Sequence, residues 1–150
     1  FQGGPLTWAA IHRLHHRHSD IDDDPQMSHG SFWWSHILWA LVREMPGLAT
    51  AKDVRRVTAD LHRDPFLCWL ERWQAVPHVL LALGLLLGGW AWAEWGVGVS
   101  LLLWGFFLRV VVGWHVTMLA NSAGHHVGYR NYETRDNSRN TWWLALLTFG

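Results

Sequence analysis

Cysteine is almost missing from this sequence. Cys68 is the only one in 150 residues, so no disulfide framework can form within the chain, and a reducing compartment is the expected setting. Charge is also scarce, at 16% of residues, and twelve basic side chains balance twelve acidic ones. A chain with no net field has no electrostatic hold on nucleic acid, and none is expected as a partner. Polar ends are lacking too. Phe1 opens inside apolar sequence without a methionine, and the chain stops at Phe149-Gly150 with no polar tail. It reads as an internal fragment of a longer protein.

What remains is apolar and aromatic: 50% hydrophobic residues, 13 Trp, and 11 His. Residues 76–93 are almost wholly apolar apart from His78. After Glu94 a second apolar run covers residues 95–119. Each is near the ~20 residues that a helix needs to cross a hydrocarbon core of ~30 Å. The link at Glu94 is too short for a domain, so the two runs predict a tight transmembrane hairpin. Arg109 lies in the second run and must face protein, water or a phosphate, with Glu94 as a possible ion-pair partner. All basic residues except Arg109 lie before residue 75 or after residue 121. The excess of positive charge on that side puts both flanks in the cytoplasm. Residues 31–43, with Phe32, Trp33, Trp34, Ile37, Leu38 and Trp39, read as one amphipathic helix on the membrane surface, with His36 packed in it. Phe66, Trp69 and Trp73 form a second interfacial stripe. The fold class is therefore an all-α membrane protein. Residues 1–75 form a cytoplasmic and interfacial segment, 76–119 the hairpin, and 120–150 a second cytoplasmic segment.

The chemistry centres on His12-Arg13-Leu14-His15-His16. On a helix starting near Pro5, steps of three and four place His12, His15 and His16 on one face. Three converging imidazoles pack poorly in a core and ligate metal well, yet the triplet suits iron, zinc, copper or nickel alike. The acidic loop at residues 19–25 reads mainly as a solvated turn. One or two of its Asp could accept the second N–H of a ligating His and fix its tautomer. The hairpin orientation brings Asn121 to His126 to the same side as the triplet. Cys68 has no accompanying His–carboxylate pair and reads as filler.

The ordered set of Gly3-Gly4-Pro5, Trp8, the His triplet, Asp24-Pro25, Phe32-Trp33-Trp34-Ser35-His36, Trp114-His115-Val116-Thr117, Asn121-Ser122, His125, Gly128-Tyr129-Arg130-Asn131-Tyr132 and Asp136-Asn137-Ser138-Arg139-Asn140 resembles the integral-membrane fatty acyl desaturases of the delta-9 type. The resemblance covers the whole chain. It implies an oxygen-dependent enzyme that introduces a cis double bond into a saturated acyl chain through two iron ions held by imidazoles. The hairpin and interfacial helices would form part of the di-metal cap. By this resemblance His12, His15, His16 and His125 are iron ligands, and Asn121 contacts a metal through water. Gln2, Trp8 and Thr117 line the bend of the acyl tunnel, and Arg43 is the remaining phosphate contact. His126 stands where the family has an apolar residue and takes no ligand role. The first His box would precede Phe1 and the last would follow Gly150, so the fragment alone should be inactive. Ala10 and Ile11 replace the Arg and Asp of acyl-CoA-using members, which favours glycerolipid-linked acyl chains over acyl-CoA. Electrons would come from a ferredoxin or small cytochrome. Two other readings stand beside this one: a related membrane di-iron hydroxylase or alkane monooxygenase, and a haem protein using His78 and His115.

Overall fold

The computed structural model describes residues 3–24, 26, 31–41 and 47–148. The regular elements among these residues are all helices, with one isolated antiparallel bridge between Tyr129 and Asn140 and no strand among them.

Helix α1, Pro5–His18, carries the His triplet. Pro5 sits at its first turn, where a missing N–H costs nothing. Leu6, Ala10, Ile11, Leu14 and His15 fall on its buried face. Its N-cap, Gly4, has no side chain to offer the exposed amides. Glu71 supplies that function from a distant helix, accepting hydrogen bonds from the Leu6 N–H at 2.8 Å and the Thr7 N–H at 3.2 Å. A carboxylate at a helix N-terminus satisfies orphan donors and complements the helix dipole. It comes so close that a Cβ on Gly4 would collide with it.

The amphipathic helix expected over residues 31–43 is not continuous. Helix α2, Phe32–His36, is capped by Ser31, whose hydroxyl accepts from the Trp34 N–H. Ile37 leaves helical geometry at φ −145°, and a 3₁₀ turn follows at Leu38–Leu41. The break rotates Trp39 inward against Ile11 and Met118, while Trp33 and Leu38 stay exposed. Burying that indole outweighs one uninterrupted turn.

Helix α3, Ala51–Val57, begins with a capping box between Thr50 and Asp53. Helix α4, Pro65–Arg72, is capped by the Asp64 carboxylate with Pro65 in its first turn. The loop between them is clipped to α1 by Arg13, which makes two hydrogen bonds to Asp60 and one to the Val57 carbonyl.

Helices α5, Ala75–Trp92, and α6, Trp95–His126, are both long and apolar enough to cross a bilayer. They turn back on each other at Ala93 and Glu94. Their crossing is tight because it uses glycine: a Cβ on Gly89 would lie 2.7 Å from the Gly98 Cα. Small residues let helix backbones approach this closely in lipid. The expected apolar hairpin is thus present in outline, and α6 runs unbroken past Leu119 to His126. At ~1.5 Å per residue α5 is about 27 Å long, and α6 is longer by well over a third. Residues Leu101–Leu108 of α6 wind as a π-helix. Up to that stretch α6 packs on α5, and beyond it on α2 and on helix α7, Trp142–Thr148.

Candidate metal and acyl-chain site

The four imidazoles singled out from the sequence come together. On α1 the rings of His12 and His16 lie 4.4 Å apart and those of His15 and His16 5.6 Å apart. His125, the penultimate residue of α6, brings its ring to 5.8 Å from that of His15. His15 and His125 are buried, His12 is half-buried and His16 is exposed. Burial, and then the neighbouring His16 and His15, pushes the His12 imidazole below its ordinary value and favours its neutral, ligating form.

The acidic loop supplies two carboxylates. Nδ1–H of His15 donates to Asp24 at 3.0 Å, and Nδ1–H of His125 donates to Asp20 at 3.0 Å. Asp24 has no solvent exposure. Burial alone would raise its pKa, but hydrogen bonds from His15, Gln26 N–H and Asp20 N–H outweigh this and hold it at about 2. Asp20 sits in the left-handed region at φ 63° and also accepts from the Asn137 N–H at 2.6 Å. An Asp is among the few non-glycine residues that adopt this conformation readily. With Nδ1 committed to a carboxylate, each ring presents Nε2 as a lone pair. Asp22 and Asp23 remain exposed, as the turn reading expected.

This donor set fits a metal, although among the described residues no three ligating side chains already converge on one point. The Nε2 atoms of His12 and His16 face each other at 3.1 Å. Two nitrogens sharing a metal at about 2.1 Å and near a right angle have roughly that separation.

Trp8 stacks on the His12 ring at 4.8 Å and 17°. Together with Thr117 and Asn121 they line a cavity of about 90 Å³, which has room for water. The Thr117 hydroxyl donates to the Gly113 carbonyl of its own helix, and the residue lines the cavity. Around the adjoining core the indole N–H groups of Trp39 and Trp114 are buried with no acceptor among the described residues. Gln2 and Arg43 lie outside the described residues.

Three features escaped the sequence. Glu71 acts across 65 residues, and no local pattern marks it. Asp20 was one of four equivalent acids until its backbone geometry separated it. The third is a histidine relay beside the site. Ser122 Oγ–H donates to the Met118 carbonyl and accepts from His36 Nδ1–H at 2.9 Å, which leaves His36 Nε2 to accept from His115 Nδ1–H at 3.0 Å. His36 and His115 are packed partners, as expected for His36. His126 donates to the Ser122 carbonyl and is exposed.

Comparisons with known proteins identify the family of the chain. The family model for fatty acid desaturases matches residues 1–150. The chain is 45% identical over 150 residues to the sn-1 stearoyl-lipid 9-desaturase of Anabaena variabilis, covering 99% of this chain and 50% of that protein. It is 42% identical over 151 residues to the sn-2 palmitoyl-lipid 9-desaturase of Nostoc sp. (strain 36), with 99% and 50% covered. It is 38% identical over 150 residues to the Delta-9 acyl-lipid desaturase 1 of Arabidopsis thaliana, with 99% and 46% covered. The chain thus spans about half the length of the curated relatives it matches. With the family model matched from end to end, the chain belongs to the fatty acid desaturase family.

Proposed function

We propose that this chain is part of an oxygen-dependent acyl-lipid desaturase that introduces a cis double bond at the delta-9 position. The observation that carries the reading is the meeting of His15 and His125, from opposite ends of the chain, each with its Nδ1 tied to a buried carboxylate. Two iron ions, with dioxygen and electrons from a ferredoxin or small cytochrome, would supply the oxidising power that no side chain possesses.

In this reading His12, His15, His16 and His125 hold iron through Nε2, and Asn121 does so through a water in the cavity it shares with His12. Asp24 and Asp20 fix the tautomer and direction of two of those rings. Trp8 and Thr117 form the wall that bends a saturated chain beside the metals, and Gln2 and Arg43 keep their proposed tunnel and phosphate roles. Apolar walls exclude water from the reacting methylenes, which have no polar handle of their own. The α5–α6 hairpin is the membrane anchor of an integral, multi-pass protein. The segments 1–75 and 120–150 lie on its cytoplasmic side and form part of a di-metal cap. The substrate is a glycerolipid-linked acyl chain, in keeping with the names of the relatives, and acyl-CoA is the less favoured carrier.

The test is expression of the full-length reading frame in a host, followed by gas chromatography and mass spectrometry of its lipids. A new cis-9 monounsaturated acyl chain is expected. It should vanish in His15→Ala and His125→Ala variants that also lose bound iron. A hydroxy acid with no new double bond would reject the desaturase reading in favour of a hydroxylase.

A further inference from the structure

Gln26 and Trp39 each carry a buried polar atom with no hydrogen-bond partner among the described residues: the side-chain carbonyl oxygen Oε1 of Gln26 and the indole N–H of Trp39. Gln26 is 6% exposed and Trp39 5%. One atom accepts and the other donates, so water can answer both. Leaving such groups unanswered is costly, and native proteins pair nearly all of them, using ordered water where no protein group reaches.

Both residues line the cavity of about 90 Å³ that His12 and Asn121 share. At ~30 Å³ for each molecule, that volume takes roughly two or three waters. A buried water is stable where it finds several polar partners. Gln26 Oε1, the Trp39 N–H and the Asn121 amide are of that kind, whereas Ile11 and Met118 add apolar wall. Each of the two residues is also fixed by a contact that does not use its orphan atom. The Gln26 N–H donates at 2.9 Å to Asp24, the carboxylate that holds His15, and Trp39 packs against Ile11 and Met118. Gln26 therefore serves the His15 pair through its backbone and the cavity through its side chain. Trp34 has a buried indole N–H of the same kind and packs on the same core, but it does not line this cavity.

We propose that Gln26 and Trp39 hold ordered water in the cavity shared by His12 and Asn121, and that this is the water through which Asn121 reaches a metal. The second half of the proposal rests on the desaturase reading and adds two positioning residues to that site. The chemistry of water makes the pair sufficient. A molecule that donates to Gln26 Oε1 and accepts from the Trp39 N–H has one O–H and one lone pair left, the first for the Asn121 carbonyl and the second for a cation. Without the two residues, Asn121 alone would have to orient it.

The test is a structure of the full-length protein at a resolution that shows water, determined with iron and again after chelation. Density at hydrogen-bond distance, about 2.7–3.2 Å, from both Gln26 Oε1 and Trp39 Nε1 is expected in both states. Gln26→Met keeps the backbone contact to Asp24, and Trp39→Phe keeps an aromatic ring in the core; each should lose that water. Iron titration followed by Mössbauer spectroscopy should then show one of the two sites weakened about tenfold, the usual effect of losing an outer partner. The other site should be unchanged, a split that a general loss of stability does not produce. Trp34→Phe removes a buried indole N–H outside the cavity and should leave the water and both sites as in the wild type. No water at the two atoms, unchanged iron binding in Gln26→Met, or equal weakening of both sites in that variant would each overturn the inference. Water on both atoms without bound iron or desaturated lipid counts against the desaturase reading alone. Two irons and desaturated lipid without that water count against the present inference alone.

Discussion

The two halves of α6 follow different rules. From Trp95 to Leu108 the helix is held by shape: Gly98 meets Gly89 and Leu86, and most side chains face outward with no protein to cover them. From Arg109 to His126 it is held by polar contacts, with His115, Thr117, Ser122, His125 and His126 all hydrogen-bonded. Bulk should therefore damage the first half, and loss of a single hydrogen-bonding group should damage the second.

The largest effect is expected in the polar region. Asp24→Ala in the full-length protein leaves His15, Gln26 N–H and Asp20 N–H without their acceptor in a fully buried site. Breaking such a buried pair costs about 3–5 kcal/mol, and bound iron should fall with it by 10–100-fold. Metal analysis and thermal unfolding measure the two losses. Unchanged iron content would mean that the carboxylate does not orient a ligand.

In the hairpin, Gly98→Ile forces a branched side chain into the Leu86 carbonyl. Overpacking of this kind costs about 1–3 kcal/mol. The melting temperature should drop while the iron content of the folded fraction stays at the wild-type level. Equal loss of iron and stability would erase the distinction between the halves.

Glu71→Gln tests a contact outside α6, the capping of α1 by α4. The substitution keeps an acceptor but removes the charge at the helix N-terminus, a loss of about 0.5–1 kcal/mol. Thermal unfolding should register a small decrease, and Glu71→Ala a larger one.

The smallest effect concerns pH. Burial, and then His115, pushes the His36 imidazole below its ordinary 6.5. Above pH 6.5 the ring is neutral in both folded and unfolded chains and carries no penalty. As pH falls below 6.5 the unfolded chain takes up the proton first, so stability declines until the folded-state value is reached. Melting curves at pH 7.5 and 5.5 should show this decline, and His36→Gln should reduce it.

The parts legible in the sequence were those set by local spacing. The His triplet needed only helical periodicity, and the hairpin needed only two apolar runs around Glu94. Composition hid the break at Ile37, because residues on both sides are equally apolar and the bend follows from where Trp39 can be buried. Glu71 and Asp20 were illegible for a related reason, since their partners lie 65 and 105 residues away.

Asp20 carries a consequence for the order of assembly. Its carboxylate joins His125, 105 residues away, and the Asn137 amide, 117 residues away. Contacts of such span close slowly, because the intervening chain must be ordered first. The hairpin lies within that span and can form from neighbouring sequence. The face where His15 meets His125 should therefore be the last part of this region to mature, completed only after both long apolar helices are in place.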